Sequence, residues 1–167
     1  MKKNNEKGFT LIELLVVVAI IGILAAVGVV AFNGFLGTSK KNAATSTHKA
    51  VVSYMAAEFA KCSLGTTKLT YNKLDGTTQQ VDCSGSNGTA AFHTGPMRDH
   101  LKAGGFKNPY TQQLDLASGS GAPVEGQTII NCASGGRCTI KTMVVDTDTS
   151  VTPNVAAVTL EDFVQKE

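Results

Sequence analysis

Glu13 is a lone carboxylate at the edge of an apolar run: residues 14–32 are nineteen consecutive side chains without charge or polarity. As a helix they extend roughly 28 Å, enough to cross the hydrocarbon core of a bilayer. An ionised carboxylate at a membrane centre costs about 2.5–3.5 kcal/mol, and less near a helix end, where it can snorkel. The chemistry open to Glu13 is therefore pairing with a cation. Taken alone, it also reads as a passive interfacial glutamate that the headgroup region tolerates.

The second reactive set is Cys62, Cys83, Cys132 and Cys138. An even number of cysteines in a small translocated domain reads as disulfides. Zinc prefers close pairs such as C-x2-C with further Cys or His, and the five-residue gap between Cys132 and Cys138 fits that poorly. Four cysteines allow three pairings. We favour Cys62 with Cys83, which pins the segment after the helix to the helix end, and Cys132 with Cys138, which closes a hairpin; crossed pairings close longer loops and stay open on entropy alone.

Other chemistry is sparse. His48, His93 and His100 are scattered, and neither a G-x-S-x-G elbow, a P-loop nor a dinucleotide fingerprint occurs. We expect no enzyme, no cofactor and no metal. Asn87-Gly88-Thr89 is a formal glycosylation sequon, a pattern common by chance.

The elements that position Glu13 begin with residues 1–8, a short basic leader holding Lys2, Lys3, Lys7 and Glu6. A secretory signal has a shorter apolar core followed by a small-residue cleavage site, whereas this run continues with no such site, and the cut that remains lies in front, at Gly8-Phe9. Gly8, Phe9, Thr10, Leu11, Ile12 and Glu13, after a charged leader and before a long apolar helix, resemble the type IV pilin family residue for residue. The resemblance covers about thirty residues.

It implies cleavage by a prepilin peptidase after Gly8, N-methylation of Phe9, and pairing of the new Phe9 amine with Glu13 of a neighbouring subunit during filament assembly. It implies a precursor in the inner membrane, a membrane-bound assembly machinery, and a helical polymer of this chain as an extracellular pilus, or fimbrium. Adhesion, twitching motility and DNA uptake are the tasks such filaments serve. A pseudopilin or minor pilin of a type II secretion or competence apparatus shares the same first thirty residues and is the alternative.

Charge fits export. Lysines on the leader hold it on the cytoplasmic side while the chain beyond the span is translocated. Without the leader, the fifteen basic and thirteen acidic side chains fall to twelve of each. A nucleic-acid-binding pilin would need a local basic patch that this balance does not supply, so no nucleic-acid partner is expected.

Fold expectations follow from periodicity. Residues 39–62 hold no proline or glycine and set His48, Val51, Val52, Met55, Phe59 and Cys62 on one face, so the helix continues as an amphipathic half. Many pilins carry a proline twenty-two residues into the mature chain; this one has Val30 there, leaving Gly22, Gly28, Gly34 and Gly37 to loosen the helix by up to about 1 kcal/mol each. After Cys62 the composition turns to Gly, Thr, Ser, Asn and Asp. A hairpin is expected from residues 67–71 and 78–82 around Asp75-Gly76, and a short helix over 96–103 with Pro96 in its first turn. Strands are expected at 128–132, 138–146 and 155–160, forming an antiparallel sheet. The fold class is α+β: leader 1–8, membrane and polymerisation helix 9–37, amphipathic continuation 38–62, and a small sheet-bearing head over 63–167.

Overall fold

A computed structural model describes residues 9–83, 91–133, 137–145 and 157–165. Helix α1, Leu11–Ser63, is 53 residues long and runs unbroken through Gly22, Gly28, Gly34 and Gly37. That is about 80 Å. It stops in a Schellman arrangement: Gly65, at φ 96°, donates to the Cys62 carbonyl, and the Thr66 N–H reaches back to Lys61. Glycine takes this left-handed position without a Cβ penalty.

Two environments divide α1. Every side chain from 9 to 33 is exposed. From Gly37 onward one stripe is covered by the head: Ala44, His48, Val51, Met55 and Phe59 are buried, with Val52 and Cys62 partly so. Glu58 is buried on the same face, bonded to Lys61 one turn on.

Strands β1, Lys68–Asn72, and β2, Thr78–Asp82, form an antiparallel hairpin on the Asp75-Gly76 turn. Asp75 accepts from both the backbone N–H and the hydroxyl of Thr77, an Asx turn that sets the reversal. Helix α2, Ala91–Ala103, starts five residues before the expected 96–103, so Pro96 lies inside it rather than in its first turn. The donor missing at Pro96 is offset by Met97 and Leu101, both buried to about 1% or less.

The main sheet has the order β3-β4-β5-β6, with β3 Leu116–Ser118, β4 Thr128–Cys132, β5 Arg137–Val144 and β6 Val158–Gln165. It is mixed rather than purely antiparallel, since the unforeseen β3 pairs parallel with β4. Leu116, buried in the core, is what holds so short a strand in place. β5 begins and ends one to two residues before the expected 138–146. β6 is displaced toward the C-terminus relative to 155–160. The charged segment after Leu160 stays extended because its ladder with β5 pairs Lys141 with Glu161 at 3.3 Å and lays the Arg137 guanidinium 4.0 Å over the Phe163 ring, while Val164 is buried in the core. Pro153 and the Asn87 sequon lie outside the described residues.

The core sits between the second half of α1, β1, α2 and the inner face of the main sheet, around Met55, Tyr71, Met97, Leu101, Ile130 and Ile140. A polar seam crosses it. His48 Nδ1 lies 2.9 Å from Thr142 Oγ1, which lies 2.7 Å from Thr128 Oγ1, and His48 Nε2 lies 3.0 Å from Asp162. This ties α1 to three strands at once and leaves the buried imidazole satisfied.

Candidate assembly site

Phe9 precedes α1 and is 85% exposed; Gly8 lies outside the described residues. Thr10 is the N-cap, in an extended conformation with ψ 148°. Its hydroxyl oxygen accepts from the Glu13 N–H at 3.3 Å, and Glu13 Oε2 accepts from the Thr10 backbone N–H at 2.8 Å and from the Thr10 hydroxyl at 2.7 Å. This is a reciprocal capping box, in which the carboxylate satisfies donors that the first helical turn leaves without partners.

Glu13 therefore has an intrachain role beyond charge pairing, and Thr-x-x-Glu ahead of an apolar run is its sequence signature. A negative side chain in the first turn also complements the helix dipole. In the uncleaved chain the Phe9 nitrogen is a peptide N–H. A free cationic amine at Phe9 arises only on cleavage of the preceding bond, and then one residue from the capping box.

Around this site the surface is apolar. Leu11 and Ile12 are 87% and 70% exposed, and the apolar window of α1 has a mean hydropathy of 3.1 with none of it buried. By length and composition, this segment suits a bilayer. Apolar area of this extent is not left against water by a soluble monomer.

Away from this tip, in the head, Cys62 and Cys83 are joined, as are Cys132 and Cys138. The first bond ties the last turn of α1 to the residue after β2, and the second links directly opposed positions of β4 and β5. Among the described residues no cysteine is free, and no group of three His, Cys, Asp or Glu side chains converges to hold a metal. The structure thus separates the sequence-derived set into two places: Phe9 and Glu13 at the exposed apolar tip, the four cysteines in the head.

Residues 3–29 match the prokaryotic N-terminal methylation motif. The type IV major fimbrial protein FimA of Dichelobacter nodosus is 58% identical over 38 residues, 23% of this chain and 24% of that protein. Fimbrial protein EcpC of Eikenella corrodens is 50% identical over 44 residues, 26% of this chain and 29% of its own length. The chain thus matches only about a quarter of the length of these relatives. No solved structure matches it.

Proposed function

We propose that this chain, whose residues 3–29 match the prokaryotic N-terminal methylation motif, is a major structural subunit of a type IV pilus. The observation that carries the reading is the exposed apolar first half of α1, headed by the methylation motif and attached to a head that covers only the second half. A bilayer can cover that half before assembly, and a bundle of identical helices can cover it afterwards. In this reading, prepilin peptidase removes residues 1–8 and Phe9 is methylated. Residues 9–37 serve as anchor and polymerisation helix, 38–62 as the amphipathic continuation, and 63–167 as the surface-exposed head.

Glu13 is assigned two successive partners: Thr10 of its own helix in the free subunit, and the Phe9 amine of a neighbour in the filament. The similarity to fimbrial proteins favours a structural role over a catalytic one. The subunit travels from the inner membrane to an extracellular fibre, and the assembly machinery is its transient partner. Adhesion and twitching motility are uses of the fibre that this reading accommodates.

Intact mass of purified fibres tests it. The protein should begin at methylated Phe9, and a mass that retained residues 1–8 would sink the assignment. In a deletion strain, surface fibres should vanish. Loss of protein secretion with fibres intact would assign the chain instead to a secretion pseudopilus.

A further inference from the structure

His100, near the end of α2, lies in a seam between three elements. Its Nδ1 accepts the backbone N–H of Asn72, the last residue of β1, at 2.7 Å. A backbone N–H can only donate, so Nδ1 carries no proton and the neutral imidazole bears its hydrogen on Nε2. Nε2 in turn faces the Tyr54 hydroxyl of α1, so its N–H donates to that oxygen. The rings reinforce the arrangement: Tyr54 stacks on His100 at 5.4 Å and 24°, and Tyr71 meets it edge-on at 5.6 Å and 61°.

One proton undoes this chain. On protonation, Nδ1 becomes a donor and points its N–H at the Asn72 N–H, with no acceptor between them. We propose that His100 is a pH-sensitive latch: it holds the β1–β2 hairpin and α2 against the end of α1 when neutral, and releases the hairpin edge at Asn72 when its surroundings acidify. The inference is independent of the pilus reading.

Charged groups face the latch from each side. From α1 come Tyr54, Glu58 and Lys61, with Lys61 bonded to Glu58; β1 contributes Tyr71, whose fully buried hydroxyl has no partner among the described residues. On α2 itself, the neighbouring Asp99 is paired with Arg98. Burial lowers the pKa of His100 from its ordinary 6.5; Glu58 pulls it back up and Lys61 pushes it further down. The C-terminal turn of α2 favours a cation at this position, but the lowered pKa shows that burial prevails. With the folded value below the unfolded one, the latch is fully stabilising above pH 6.5 and loses its contribution as pH falls through the folded pKa.

The test uses the whole chain, isotope-labelled in detergent micelles, between pH 8 and pH 5. Imidazole nitrogen shifts follow the protonation of His100. Hydrogen exchange of the Asn72 amide, corrected for its intrinsic pH dependence, follows the latch. Protection at Asn72 should be lost with the same midpoint as the imidazole, while the β5 amides keep theirs. Glu58→Gln should move that midpoint to lower pH and Lys61→Met to higher pH. His100→Gln should abolish the response. Unchanged Asn72 protection across the range, loss in β5 with the same midpoint, or midpoints moving in one direction for both charge variants would overturn the proposal.

Discussion

The two halves of α1 are one continuous helix in two different settings. Between 11 and 33 no side chain is covered, and the residues are almost uniformly apolar. Between 37 and 59 burial recurs every three or four residues, and each buried group meets a partner within the same chain, as His48 meets Thr142 and Asp162. The contrast shows where this molecule is complete. Its head packs one face of the helix into a common core, whereas its N-terminal half is an apolar helix that none of the described residues covers.

The sharpest way to break that comparison is at Glu13, the one ionisable group in the first half. Glutamine also closes a capping box, so Glu13→Gln keeps the bonds with Thr10 and removes only the charge. Cells producing this variant should insert and cleave the subunit yet carry no fibres by electron microscopy. Glu13→Val should behave alike. Fibres in normal number from Glu13→Gln but none from Glu13→Val would make the cap, and not the charge, the essential feature.

In the head covalent closure adds to the packed core. Loops of 21 and 6 residues give about 3 and 2 kcal/mol for Cys62–Cys83 and Cys132–Cys138 on the chain-entropy estimate. Serine pairs at each site should lower the urea midpoint of the head in that order, followed by tyrosine near-ultraviolet dichroism. The first half of α1 should be unaffected. A non-reducing tryptic digest should link residues 62–68 to 74–98, and 108–137 to 138–141. A peptide joining Cys62 to either of the last two would contradict the pairing.

Glycines separate the halves more finely. Gly126 sits at φ 69°, and a Cβ there would lie 2.2 Å from Asn108 Oδ1 and 2.4 Å from the Tyr110 ring. Asn108 is itself buried, donating to the Glu125 carbonyl and accepting from the Tyr110 N–H, so nothing nearby can yield. Gly126→Ala should cost at least about 2 kcal/mol in the same urea assay. Gly22 is the smallest effect and opposite in sign: a Cβ meets nothing within 4 Å, so Gly22→Ala should stabilise α1 by up to about 1 kcal/mol in micelles. Slower amide exchange around position 22 would register the gain, and faster exchange would contradict it.

Features that span a few residues were open to reading in advance. The long helix follows from apolar continuity and the absence of proline, and the β1–β2 hairpin from Asp75-Gly76. The capping box at Thr10 and Glu13 is equally local, spanning four residues. Pro96 goes the other way: the local preference for proline in a first turn yields to the packing of Met97 and Leu101, and the proline lies inside α2.

What local pattern could not supply are partners distant in sequence. His48 lies on the expected apolar stripe, but its hydrogen-bond partners stand 94 and 114 residues away, and only the register of β5 against β6 brings Thr142 and Asp162 beneath one imidazole. His100 looked like one of three scattered histidines until α1 and β1 closed around it from 46 and 28 residues away. β3 has three residues and no periodicity of its own; it exists because β4 offers a parallel edge and the core accepts Leu116. Secondary structure arises from the chain's near neighbours, through dihedral preference and hydrophobic period. Buried polar groups are matched only at the fold level, because an unpaired donor or acceptor costs too much to leave inside and its partner must come from whichever element packs against it.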